Sequence, residues 1–195
     1  MKLIAVHGKA RSGKDTVAKI LHEQEKFFRM AFADPLKSAV AGLFNIPREV
    51  AFSDNKDQVL EGWGVTLRDV LQRFGTECMR ENFGDDFWIR RWAGEYLQLQ
   101  ARHNIVVTDC RFHNEAKVVR SLGGIIIHLR RDSAGLTGAH ATHVSEQVLP
   151  VEDGDVVVDN NGSIDDLRVQ LQKVLFDLNH EGDFAKPYFK VDSPE

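Results

Sequence analysis

Short apolar runs alternate along the chain with stretches in which apolar residues recur every three or four positions. The first pattern suits buried strands and the second amphipathic helices, so their alternation predicts an α/β domain with a largely parallel sheet. The first strand is expected at Leu3 to Val6, then a loop over Gly8 to Gly13. A helix from Lys14 to about Lys26 follows, placing Val17, Ala18, Ile20 and Leu21 on one stripe. A second short strand fits Phe28 to Phe32, and Pro35 at a first helical position suits a helix through Leu43.

The middle third, Asn45 to about Gln100, lacks strand patterning and reads as a helical insertion. Thr66 with Asp69 has the spacing of a capping box opening a helix through Phe74. Asp85 and Asp86 can cap another that carries Trp88, Trp92 and Tyr96 at four-residue steps, aromatics that read mainly as core. Ile105 to Thr108 is an uninterrupted apolar-type strand ending at Asp109, and Ile125 to Ile127 is another. A helix from Asn114 to Leu122 lies between them, stopped by Gly123. Val156 to Val158 gives the last strand, and Ser163 with Asp166 caps a final helix striped by Leu167, Leu171, Val174, Leu175 and Leu178. The reading is one domain over 1–195: a core of 1–44 and 103–180, an insertion of 45–102, a polar, glycine-containing loop within 130–144, and a loose tail over 182–195.

Composition narrows the function classes. Hydrophobic residues at 43% and charged residues at 28% describe a packed domain rather than a disordered or repetitive chain. No apolar run approaches the roughly 18–20 residues of a membrane helix, so a membrane role is not expected and a cytoplasmic location is. Net charge is −4, which argues against polymeric nucleic acid as partner. Positive charge is nevertheless clustered at Lys9/Arg11/Lys14, Arg90/Arg91 and Arg130/Arg131, which suits small anions if the fold gathers them. Cys78 and Cys110 are expected as free thiols.

The strongest chemical signal is Gly8-Lys9-Ala10-Arg11-Ser12-Gly13-Lys14-Asp15-Thr16, set between the first strand and the first helix. Glycines at both ends let backbone N–H groups curl around phosphate oxygens, the helix offers its positive end, and Lys14 can reach the β and γ phosphates. The general motif has a hydroxyl directly after the lysine; here Asp15 stands there and Thr16 comes one residue later. Asp15 has three open roles: binding a magnesium-held water, orienting an arginine that grips an acceptor phosphate, or capping the helix. Its charge beside a triphosphate calls for a cation, which implies Mg²⁺. A second signal is Asp109, Arg111 and Glu115, at the carboxyl end of a central strand where open α/β sheets bind ligands. His140 and His143 lack the further ligands that a zinc site needs.

Several segments together resemble the bacteriophage deoxynucleoside monophosphate kinases of the T4 and T5 type. They are Ser12-Gly13-Lys14-Asp15-Thr16, Leu71-Gln72-Arg73-Phe74-Gly75-Thr76-Glu77, Asn82-Phe83 to Phe87-Trp88, Asp109 through Glu115, Thr142-His143-Val144-Ser145-Glu146, and Asp153 through Ser163. The resemblance implies a P-loop kinase fold, three-layer α/β/α around a central parallel sheet, with the helical insertion binding the acceptor and a short lid over 130–144. It implies transfer of the γ-phosphoryl of ATP to a deoxynucleoside monophosphate with Mg²⁺, in the cytoplasm of a host if phage-encoded, and it suggests a homodimer. Carried over by position, Gly8 through Thr16 hold the ATP phosphates; Lys14, Asp15, Arg130 and Arg131 serve catalysis; and Thr16 with Asp109 serve the metal. Arg68, Gln72, Gly75, Thr76, Trp88, Asp109, Arg111 and Glu115 face the acceptor, and Asn160 and Gly162 border the adenine. Asp69 stands where the T4 type has a second basic residue, and the insertion is shorter. The competing expectations are a small-molecule kinase like dephospho-coenzyme A kinase, whose ending resembles Asp159 to Ser163, and a P-loop module without acceptor chemistry.

Overall fold

The computed structural model describes residues 1–136 and 148–180. Residues 137–147, with His140, His143 and most of the expected lid, and the tail over 181–195 lie outside the described residues. In chain order the elements are β1 (Leu3–His7), α1 (Lys14–Glu25), β2 (Phe28–Met30), α2 (Asp34–Leu43), α3 (Arg48–Ala51) and α4 (Leu67–Gln72). A π-helical segment (Arg73–Arg80), α5 (Glu81–Phe83) and α6 (Phe87–Leu99) follow, then β3 (Ile105–Val107), α7 (His113–Ser121), β4 (Ile125–Arg130), β5 (Val156–Asp159) and α8 (Ile164–His180). Contacts divide the chain into two compact units, one of Met1–Met30 with Gln100–Glu195 and one of Ala31–Leu99.

The first unit is built on a five-stranded sheet in the order β2-β3-β1-β4-β5, every pairing parallel. β1 therefore lies in the middle, with Ala5 opposite Val107 on one side and Ile126 on the other, and all five of its residues are buried. Ile4, Val6, Val106, Ile127 and Leu129 alternate onto one face, where they meet Val17, Ile20 and Leu21 of α1 and Leu167, Leu171 and Val174 of α8. α7 packs against β1 and β4. Each such aliphatic side chain contributes roughly 1.5–3 kcal/mol when fully buried, so this layer carries most of the unit's stability. The local signals read from sequence operate here: Gly123 stops α7 in the left-handed region at φ 77°, and Ser163 and Asp166 cap α8 reciprocally. The second strand is shorter than expected. The Met30 carbonyl accepts from Thr108 N–H, and the chain turns at Ala31, whose carbonyl takes Asp34 N–H, into α2.

The second unit has no strand; its single β-bridge joins Val59 to Thr66. Its core is Leu36, Val40, Leu60, Leu67, Val70 and Trp88. Thr66 and Asp69 form the expected capping box, at 3.1 Å in each direction. The helix does not stop near Phe74. It widens into the π-helical segment and continues to Phe83, ending at Gly84 with φ 103°. Within that segment Gly75 is closely packed: a Cβ there would meet Leu36 Cδ2 at 2.7 Å, and its carbonyl accepts the Trp88 indole N–H at 2.8 Å. Trp88, Trp92 and Tyr96 are buried, as their spacing predicted.

Gly124 stands at the end of the sheet away from the phosphate loop, and a Cβ on it would meet Leu3 Cγ at 2.7 Å and the Leu3 carbonyl at 2.9 Å. Gly124→Ala should cost about 1–3 kcal/mol through overpacking. Urea unfolding should show a lower midpoint.

Candidate active site

β1 ends in the buried core and delivers the chain directly into the phosphate loop. Gly8 leaves no room for a side chain: a Cβ there would meet the Leu129 carbonyl and Ser12 Oγ, both at 2.7 Å. Arg11 at φ 65° and Gly13 at φ 101° place two left-handed residues in three, which turns successive N–H groups inward. Ser12 N–H closes the turn onto the Lys9 carbonyl at 3.2 Å. Lys14 opens α1, and its ammonium folds back to donate to the carbonyls of Gly8 and Lys9, each at 2.9 Å. The loop thus presents a helix N-terminus and a cation together, the physical requirement for an anion site. Ser12 Oγ is buried without a hydrogen-bond partner.

Two neighbours that sequence reading did not connect brace this loop. Asn160, just beyond β5, is buried and donates its amide to the Ser12 carbonyl at 2.7 Å. The segment after β4 reaches back, Gly135 N–H donating to the Ala10 carbonyl at 2.9 Å. Arg130 and Arg131 are exposed where that segment leaves β4, and Arg131 Nε donates to Ser133 Oγ at 3.2 Å. Asp15 is exposed on the first turn of α1, 3.9 Å from the Arg29 guanidinium of β2. Gly162 is the residue before the α8 cap, where a Cβ would meet Asp166 Oδ2 at 2.7 Å.

The loop after β3 lies beside β1 in the sheet. Asp109 and Arg111 are half-buried and flank buried Cys110. Glu115, 2% exposed, has its carboxylate occupied by the N–H groups of Arg111 at 2.8 Å and Phe112 at 3.1 Å, so it ties that loop to the first turn of α7. Cys110 carries its carbonyl to His7 Nδ1 at 3.0 Å, while the Leu149 N–H donates to His7 Nε2 at 3.1 Å. A backbone N–H can only donate, so Nε2 is the accepting nitrogen and the ring proton sits on Nδ1. Burial depresses the His7 pKa, with the neighbouring His128, Lys14 and Arg111 adding to the effect against the Cys110 hydrogen bond. Burial pushes the Cys110 thiol well up, reinforced by Glu115 and Asp109, which leaves it an inert thiol. Further along the sheet, Asp155 accepts from Arg120 at 2.6 Å, from His128 at 2.9 Å and from Glu152 N–H at 3.0 Å. Burial alone would raise the Asp155 pKa, and these three hydrogen bonds outweigh it, holding the carboxyl below its usual range.

The acceptor residues expected in the insertion all fall in the second unit. Arg68 pairs with Asp57 at 2.8 Å, Gln72 and Thr76 are half-buried, and Gly75 and Trp88 are joined as described. A cavity of about 500 Å³ borders the neighbouring positions Asp69, Arg73 and Glu77, with Phe44, Trp63 and Phe74 in its wall; the five expected residues do not line it. Among the described residues no cluster of three or more His, Cys, Asp or Glu stands ready to cage a metal, and no helix is long and apolar enough to cross a membrane.

A glycine-cramped phosphate loop on the central strand of a five-stranded parallel sheet defines a P-loop nucleotide-binding protein of α/β/α architecture. The chain belongs to the deoxynucleotide monophosphate kinase family, whose model matches residues 2–66 and 44–171, and it is therefore a nucleotide kinase. It is 29% identical over 184 residues to a deoxynucleotide monophosphate kinase homologue of Acanthamoeba polyphaga mimivirus, covering 88% of this chain and 94% of that protein. It is 29% identical over 151 residues to the deoxynucleotide monophosphate kinase of Enterobacteria phage T4, covering 71% of this chain and 61% of that protein. For the Escherichia phage RB69 enzyme the values are 31% over 112 residues, 56% and 45%. The chain thus spans less than two thirds of the length of the two phage enzymes. Solved structures give only distant likenesses: a dephospho-CoA kinase from Campylobacter jejuni at 19% identity and TM-score 0.49, covering 91% and 98%, and a gluconokinase from Sinorhizobium meliloti 1021 at 15% and 0.47, covering 93% and 98%.

Two outcomes follow from this geometry. Asn160→Ala leaves the buried Ser12 carbonyl unsatisfied, a loss of about 1–3 kcal/mol, and should raise KM for ATP and GTP alike. A change in donor ranking with little loss of loop stability would instead mark Asn160 as a reader of the adenine. Depressed pKa values at His7 and Asp155 mean that the unfolded chain takes up protons that the folded chain refuses. Stability must therefore fall as pH drops below about 6.5. The urea midpoint should decrease from pH 7.5 to 5.5 as the His7 contribution is lost, and a flat profile would contradict that shift; the Asp155 contribution is lost only as pH falls to about its ordinary value of 3.8 and below.

Proposed function

We propose that this nucleotide kinase transfers the γ-phosphoryl of ATP to a deoxynucleoside monophosphate, giving the diphosphate, with the phosphate loop Gly8 to Thr16 as the donor site. The observation that carries the reading is the loop itself: a helix N-terminus, inward-turned amides and the Lys14 ammonium gathered on one central strand end. Phosphoryl transfer asks the protein for positioning and charge neutralisation rather than covalent chemistry, and these are the parts such a loop supplies. Lys14 follows the charge of the transferred group. Arg111 grips the acceptor phosphate, Arg130 and Arg131 add positive charge at the end of β4, and Arg68, Gln72 and Thr76 contact the acceptor nucleoside. Buried Trp88, bound to Gly75, supports that surface.

Mg²⁺ fits the donors present. Thr16 and Asp109 are hard oxygen donors without a surrounding cage, which suits an ion that keeps several waters and takes the rest of its shell from phosphates. Thr16 and Asp109 would hold it, and it would supply neutralisation of phosphate charge. Asp15 balances Arg29 on the first turn of α1. Family membership favours this reading over a coenzyme A precursor kinase or a non-catalytic module.

A coupled ADP-release assay with dGMP, dTMP, dCMP, dAMP or dephospho-coenzyme A as sole acceptor tests the proposal; turnover with the last alone overturns it. Lys14→Ala should lower kcat by roughly 10²–10³-fold, the scale of a lost transition-state charge contact, with an unchanged melting temperature. Arg111→Lys should weaken every acceptor alike, since an ammonium lacks the planar fork. Unchanged kinetics with a lower melting temperature would make Arg111 structural.

A further inference from the structure

His7 belongs to none of the motifs that mark the phosphate loop, yet its ring touches the main chain on both sides of it. It is the last residue of β1, covalently joined to Gly8, and is 7% exposed. On one edge Nδ1–H donates to the Cys110 carbonyl at 3.0 Å, between Asp109 and Arg111. On the other, Nε2 accepts the Leu149 N–H at 3.1 Å, on the segment that leads to β5. The ring also stands edge-on to His128 at 5.4 Å. Two stretches of chain, 103 and 142 residues along from His7, therefore meet on one imidazole.

We infer that His7 is a positioning residue for phosphoryl transfer: its ring sets the spacing between the phosphate loop and the Asp109–Arg111 turn. The inference rests on the donor-site reading above and deepens it. An apolar side chain of equal size would fill the same space, but it would leave the Cys110 carbonyl and the Leu149 N–H buried without partners. The Asp109–Arg111 turn would then lose its side-chain tie to the end of β1, while the Glu115 bonds on its far side remain. Small displacements of positioned charge are costly in rate, a shift of about 1 Å reaching 10²-fold. The neutral Nδ1–H form is the one that both hydrogen bonds require, and burial favours it.

The two bonds can be separated by substitution, because an asparagine amide stands where Nδ1 stands and a glutamine amide reaches toward Nε2. His7→Leu should lower kcat roughly ten- to hundredfold and raise KM for the monophosphate, with KM for ATP changed less than twofold. His7→Asn, which restores the Cys110 bond, should recover most of kcat; His7→Gln, which restores only the Leu149 bond, should not. Nitrogen-15 spectra of the wild-type ring should show Nδ1 protonated and Nε2 bare. Wild-type kinetics in folded His7→Leu, or equal rescue by asparagine and glutamine, overturns the inference, as does the opposite tautomer. If His7→Leu does not fold, the asparagine and glutamine variants decide it. Absence of turnover by the wild type with any deoxynucleoside monophosphate would overturn the proposed reaction instead, and the ring spectra would still report on His7.

Discussion

Everything at the candidate active site depends on the crowding around Gly8. A parallel strand can lie at the centre of a sheet only when both neighbours are in register, and β1 has β3 on one side and β4 on the other. That places the Leu129 carbonyl and Ser12 Oγ where any side chain on Gly8 would have to go. The chain is forced to turn at once, and the turn is completed by left-handed Arg11 and Gly13 before α1 begins. The shape of the loop thus follows from its place in the sheet, through the crowding at Gly8 and the left-handed turn at Arg11 and Gly13. Lys14, bent onto the carbonyls of Gly8 and Lys9, keeps its charge at the loop rather than in solvent.

The loop in turn is held from the β5 side. Asp155 receives Arg120, His128 and the Glu152 N–H, and it stands immediately before β5. Removing one partner from a buried charge cluster of this kind costs about 3–5 kcal/mol, because the remaining charge is left desolvated. β5 then carries the chain to Asn160, whose amide grips the Ser12 carbonyl. Since Asp132 N–H is in turn taken by the Asn161 side chain at 2.9 Å, the stretch after β4 is tied to the same turn. A polar network well inside the unit thus reaches the phosphate loop through two short turns.

What could be read in advance was local. The phosphate loop, the Thr66–Asp69 and Ser163–Asp166 caps and the stop at Gly123 each depend on residues within a few positions of one another, so spacing alone exposes them. What could not be read was long-range. His7 sits in an apolar run and looks like one more strand residue until Cys110 and Leu149 arrive. Asn160 had a turn signature but no sign that Ser12 was its partner. The π-helical segment was hidden for the same reason: the helix was expected to end at Phe74, and the contacts that Gly75 makes within Arg73 to Arg80, with Leu36 and the Trp88 indole, come from distant positions. Glu115 is the intermediate case, since an acid at the third position of a helix is a cap signal that its place beside Asp109 and Arg111 overshadowed.

Asp15 shows how the same local physics limits a charge argument. An acid on the first turn of a helix is favoured by the helix dipole by about 0.3–1 kcal/mol, and an exposed ion pair such as that with Arg29 is worth no more than this. Both are small beside the repulsion of a carboxylate by a polyphosphate in a partly desolvated loop, which at close range reaches several kcal/mol at an effective dielectric constant near 20. Asp15 is tolerable because its side chain is 73% exposed and lies 3.9 Å from the Arg29 guanidinium. The chain carries a net charge of −4. The Lys14 ammonium is fixed at one strand end, and the acidic excess is harmless where water screens it.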